Sequence, residues 1–243
     1  MKGRSIRRKL ATRLVLAAAF AALAAAAAPS ALACGAGTYT YAGMAAVDPA
    51  FGVSGVLTPL GSLISAGHVA GWVGLGGPGE GPNGTNEWIQ VGLSSFPLLG
   101  ANDIYYEVAR PGREPSYHTV RQNVQDGAPV HVAVLEMHAH HGWWRVWVNG
   151  RPVSRAIRLP GSHDRWAPIA TAESWDGGSP TCNGFLYRFD GVHLAQAPGG
   201  GWAPASHLRP IHSANTEVTA VAPASFFAAG GRDGLRLLAS ARR

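Results

Sequence analysis

The chain predicts an all-β fold, a sandwich or barrel of short antiparallel strands, on three observations. Its 32 glycines and 17 prolines interrupt it every few residues. The segments between them are short and rich in Val, Ile, Trp, Tyr and Phe, which suit a pleated, half-buried surface. From Tyr39 onward no convincing helical period stands out, so the closing stretch also reads as strand.

Residues 1–33 read as an export signal. Lys2, Arg4, Arg7, Arg8, Lys9 and Arg13 form a basic start, an Ala/Leu-rich apolar run follows, and Ala31-Leu32-Ala33 offers a small-x-small cleavage site. The run is short for a membrane anchor. The expected product is a secreted, monomeric, single domain of residues 34–243 with no stable membrane span. Six of the 20 Lys+Arg leave with the signal, so 14 remain against 14 Asp+Glu. The basic balance of the whole chain therefore belongs to the signal, and a nucleic-acid partner loses its electrostatic support. Cys34 and Cys182 are the only cysteines. In an exported chain the pair reads as a disulfide, with lipid attachment at Cys34 as the competing reading.

The strands follow in order. Gly71–Gly77 and Asn86–Gly92 read as two strands joined by a glycine-rich loop. Trp88 and Gln90 share one face of the second, opposite Glu87, Ile89 and Val91. Over Ile104–Ala109, Tyr105 and Glu107 oppose Ile104, Tyr106 and Val108. Val130–Met137 is a long strand, and Trp143–Val148 returns from the turn at His141-Gly142. Asn149-Gly150 is a two-residue hairpin signal leading into a strand around Val153–Leu159. Ile169–Ser174 and Phe185–Leu194 are further strands, Gln196–Pro204 reads as a linker, and Thr216–Val221 and Leu235–Ala239 close the fold.

If the strands carrying Gln90, Glu107 and Arg145 lie side by side, one face collects Trp88, Gln90, Tyr105, Glu107, Trp143, Arg145 and Trp147. Trp72 and Glu173 complete the set. Such a mixture of Trp with Gln, Glu and Arg makes a poor dry core and a good groove for extended polypeptide or glycan. The structural alternative is that these tryptophans are core and the other face is solvent. His138 and His140 share the face of a strand end, but a metal needs further ligands and only Glu136 and His163 offer themselves. An exposed hairpin tip is the simpler account, and no metal or cofactor is expected. No glycine-x-serine-x-glycine elbow is present.

Several of these segments together resemble the glutamic peptidases, the eqolisin family. Trp72-Val73-Gly74-Leu75-Gly76-Gly77, Trp88-Ile89-Gln90-Val91-Gly92, Tyr105-Tyr106-Glu107, Ala172-Glu173-Ser174-Trp175, the Phe185–Leu194 strand and the closing Val218–Ser225 segment are similar to family elements in order and spacing. The resemblance implies a concanavalin A-like, jelly-roll β-sandwich of two curved antiparallel sheets. It also implies a glutamine that orients water and stabilises an oxyanion, at Gln90, and a glutamate acting as general base and then acid. The resemblance sets that glutamate on the strand returning from the hairpin, Trp143–Val148, where this sequence has no carboxylate; Gly76 also replaces a family aspartate. Glu107 and Glu136 are the candidate replacements. The expectation is a degenerate homologue that binds extended peptide or glycan without hydrolysing it. The alternative is an acid endopeptidase using Gln90 with Glu107 or Glu136.

Overall fold

A computed structural model describes residues 37–179 and 181–243. The expected export signal, its cleavage site and Cys34 lie outside these residues, and with Cys34 the pairing proposed for Cys182. The strands are β1 (Tyr39–Ala46), β2 (Gly52–Leu63), β3 (His68–Gly77), β4 (Glu87–Ser95), β5 (Asn102–Ala109), β6 (Ser116–Val124), β7 (Val130–Glu136), β8 (Trp143–Val148), β9 (Arg151–Pro152), β10 (Ile157–Arg158), β11 (Ile169–Trp175), β12 (Gly184–Ala197), β13 (Gly200–Pro204), β14 (Leu208–His212), β15 (Thr216–Ala222) and β16 (Ser225–Gly230). A helix, α1 (Gly231–Ala241), closes the chain.

Two antiparallel sheets result. The first runs β14-β1-β11-β3-β4-β5-β6. The second runs β10-β8-β7-β2-β12-β16-β15, with β13 added on β12 and β9 on β8. Side chains alternate between faces along each strand, so pairing decides which of them meet the interior. Val69, Val73, Ile89, Val91, Leu93, Ile104 and Val108 of the first sheet share one core with Leu57, Val132, Val134, Val146, Phe185, Tyr187 and Phe226 of the second. Each such side chain contributes about 1.5–3 kcal/mol when fully buried. This is the expected β-sandwich.

The Asn149-Gly150 turn is as expected: both residues have positive φ, 47° and 75°, as a type I′ hairpin turn requires. Three segments differ. Val153–Leu159 contributes only the two-residue β10. Gln196–Pro204 is no linker but part of the β12–β13 hairpin. Leu235–Ala239 is helical: Leu235 and Leu238, three apart, pack with Leu60, Leu186 and Phe227 on the outer side of the second sheet. Gly234 hides that helix in the sequence, because glycine is a poor helix former. It is needed for packing, since a Cβ there would lie 2.1 Å from the Phe185 carbonyl oxygen.

Candidate functional site

The site grows from four adjacent strands of the first sheet. Thr171 on β11 faces Trp72 on β3, Trp72 faces Gly92 on β4, and Gly92 faces Tyr105 on β5. The next row on that face is Gly74, Gln90 and Glu107. On the other side lies the row Tyr41, Glu173, Ala70 and Ser94. These rows alternate with Val73, Val91 and Ile104, which point into the core, so they look away from it. Trp72, Tyr105 and Ala70 pack with Tyr41 and Ile169 as an apolar cluster separate from the sandwich interior.

Glycine hollows this surface. Gly74 stands opposite Gln90, where a Cβ would come within 2.8 Å of the Gln90 Cβ. Gly43 stands opposite Thr171, where the corresponding distance to the Thr171 Cβ is 2.4 Å. The result is a cavity of about 470 Å³, lined by Tyr41, Trp72, Trp88, Gln90, Ile169 and Glu173 among others. That size is ordinary for a ligand site.

The polar groups are held in different ways. Gln90 Nε2–H donates to the Tyr105 hydroxyl at 3.2 Å. Trp88 Nε1–H donates to Glu107 Oε1 at 2.9 Å. Glu173 lies 3.8 Å from His68 Nε2, too far for a hydrogen bond. The Trp72 indole N–H is buried with no partner among the described residues.

Burial raises the Glu107 carboxyl above the ordinary range; the Trp88 bond opposes this, the Glu173 charge adds to it and His68 lowers it. The hydroxyls of Tyr39, Tyr41 and Tyr105 are pushed up by burial first, then by Glu173, with Glu107 adding to each. Two carboxylates therefore act on one set of phenols, which stay protonated and available as donors.

Trp72, Trp88, Gln90, Tyr105, Glu107 and Glu173 thus share one face. Trp143, Arg145, Trp147 and Glu136 do not join them, which corrects the assumption that the Gln90, Glu107 and Arg145 strands are neighbours. β8 pairs with β7, and β7 with β2, so this hairpin belongs to the second sheet. Trp143, Arg145 and Trp147 lie on that sheet's outer face. Glu136 ends the inward Val130-Val132-Val134 stripe and is 0% exposed. It accepts hydrogen bonds from the Gly142 backbone N–H and from His163 Nδ1, the latter at 2.9 Å. His138 and His140 are exposed at the turn. No group of three or more His, Cys, Asp or Glu placed to hold a metal occurs among the described residues.

Sequence reasoning missed Tyr39, Tyr41 and His68, which ring the Glu173 end. The Tyr39-Thr40-Tyr41 alternation is the signal that was available.

Comparison with known structures gives the same architecture. Scytalido-glutamic peptidase, solved with a peptide-based transition-state analogue, matches with a TM-score of 0.57 at 14% identity, over 79% of this chain and 98% of that one. SCP-B, a member of the eqolisin family solved with the tripeptide Ala-Ile-His, matches with a TM-score of 0.53 at 15% identity, over 79% and 98%. The likeness to glutamic peptidases is thus present in the fold. No protein-family model and no curated protein sequence matches the chain.

Proposed function

We propose that residues 34–243, exported after loss of the N-terminal signal, hydrolyse peptide bonds of extended polypeptides in acid, with Glu173 as the acid/base and Gln90 as the oxyanion donor. The observation that carries this reading is that Glu173 and Gln90 line one cavity, on the two strands that flank β3 and Trp72. Glu107 is the weaker acid/base candidate, because its carboxylate already accepts the Trp88 indole N–H. Glu136 is less suited to the role, because it stands on the other sheet and is already bound by Gly142 and His163.

The chemistry follows from the groups present. The Glu173 carboxylate takes a proton from a water as that water adds to the scissile carbonyl. One Gln90 amide proton is committed to Tyr105; the second is available to the oxygen that gains charge. The Glu173 carboxyl then returns its proton to the leaving amine, and the C–N bond breaks. Trp72, Tyr41 and Ile169 supply apolar walls for a substrate side chain. The peptide ligands of the fold neighbours agree with a polypeptide substrate.

The test is incubation of purified residues 34–243 with a denatured protein between about pH 2 and 7, a span that covers carboxylate titration. Cleavage in acid that disappears in both Glu173→Gln and Gln90→Ala is expected. Wild-type protein that binds the substrate saturably and never cleaves it would overturn the hydrolase and leave a binding groove.

A further inference from the structure

We propose that the outer face of the second sheet carries a separate glycan-binding site, in which Trp147 and Trp202 hold a neutral pyranose unit. The starting point is a second cavity, of about 480 Å³, lined by Ser54, His131, Leu135, Trp147, His193 and Trp202 among others. It shares no residue with the groove around Gln90.

The register explains how it forms. His193 on β12 faces Ser54 on β2, Ser54 faces Ala133 on β7, and Ala133 faces Trp147 on β8. One outward row therefore crosses four strands. The small side chains of Ser54 and Ala133 leave a hollow between the larger His193 and Trp147. Trp202 enters from β13, which folds back on β12. Gly150 of the β8–β9 turn and Gly199 of the β12–β13 turn complete the rim.

The lining suits a sugar. Trp202 is 39% exposed, unusually open for so large an apolar ring. Neither Trp147 nor Trp202 packs against another aromatic ring among the described residues. Each indole is thus unpaired at a wet boundary, where a ring with an apolar face and a polar edge finds its complement. The Trp147 N–H is buried and has no partner among the described residues. His193 Nδ1–H donates to the Gly191 carbonyl at 2.6 Å, which fixes the ring and leaves Nε2 to meet a hydroxyl. Burial, then the neighbouring His193, lowers the pKa of His131, which favours its neutral form.

Among the described residues, no Asp, Glu, Lys or Arg lines the cavity. A charged ligand would be buried there without a counter-ion, at considerable cost. Indole faces, a serine hydroxyl and imidazole edges instead match the alternating C–H and O–H surface of a neutral pyranose.

The experiment is affinity electrophoresis of residues 34–243 carrying Glu173→Gln, which silences the proposed hydrolysis. The gels contain soluble neutral polysaccharides: a β-glucan, a xylan or a mannan. Retardation by at least one is expected, weakened about 10-fold or more by Trp202→Ala and by Trp147→Phe. Trp202 is at the surface, so its loss leaves the fold standing, as near-UV circular dichroism would verify. Retardation by none of them overturns the proposal. So does retardation that survives Trp202→Ala, or that is abolished by Trp72→Ala in the groove. Binding of denatured casein that depends on Trp202 without any glycan binding would reassign the cavity to polypeptide. Failure here and failure of acid proteolysis are independent results.

Discussion

Gln90 reaches diagonally across the β4–β5 ladder and donates to the Tyr105 hydroxyl at 3.2 Å. Both side chains are nearly covered, Gln90 8% and Tyr105 2% exposed. A buried amide bound at one proton has one orientation, and its second proton is then aimed by the first. Tyr105→Phe removes this restraint and little else. It should lower kcat about 10-fold with KM nearly unchanged. Steady-state kinetics on a peptide substrate would show this, and a change in KM alone would mean that Tyr105 serves only binding.

Glu173→Gln keeps the shape of the side chain and removes its proton chemistry. If Glu173 is the acid/base, kcat/KM should fall by about 100- to 10,000-fold. Glu107→Gln should cost less, because the Trp88 indole can still donate to the new amide oxygen. Equal losses in the two variants would assign the proton transfers to the pair and not to Glu173.

The pH dependence of stability follows from one buried and one half-buried carboxyl. Glu87 is 0% exposed on the inward face of β4, where Gly161 N–H donates to its Oε2 at 2.8 Å while its Oε1 has no partner among the described residues. Burial raises its pKa, and the Gly161 bond, Arg165 and Arg158 offset only part of this. Glu107 is raised as well. A carboxyl with a raised folded pKa favours the folded state while protonated. That contribution is complete below the ordinary value of 4.5 and is lost as pH rises through the raised one. The exposed Glu217, lowered mainly by its bond from Arg242, works weakly the other way. The melting temperature should therefore be higher in mild acid than at neutrality, and Glu87→Gln should flatten the profile. A scanning calorimetry series would test this; a melting temperature that rises toward neutral pH and is unaltered by Glu87→Gln would refute it.

The facing of the groove residues was legible in the sequence, because the two-residue period of a strand is local. Trp88 with Gln90, and Tyr105 with Glu107, needed only alternation. Which strands lie side by side was not legible. β7 pairs with β2, far earlier in the chain, and that pairing carries Trp143, Arg145 and Trp147 to the other sheet. For the same reason the empty Trp143–Val148 strand drew attention from Glu173, whose strand lies next to β3. Helix α1 was illegible for a different cause: Gly231 and Gly234 break the helical pattern and are there for the strands beneath them.

Glu136 gives the last test, because its burial separates stability from catalysis. It ends an otherwise apolar stripe, and His163, stacked at 3.9 Å on His141, caps it together with Gly142. His163→Ala would leave the buried Glu136 side chain with one partner fewer. Leaving such a buried group short of a partner costs about 3 kcal/mol, and in a domain of this size that lowers the melting temperature by roughly 6–12 °C. Glu136→Gln, which keeps the shape and an acceptor oxygen, should cost less. Neither change reaches the groove, since Glu136 and Glu173 stand on different sheets. Activity per folded molecule, measured below the melting transition, should match wild type in both variants. A variant that melts normally but loses cleavage would return Glu136 to the chemistry and remove Glu173 from it.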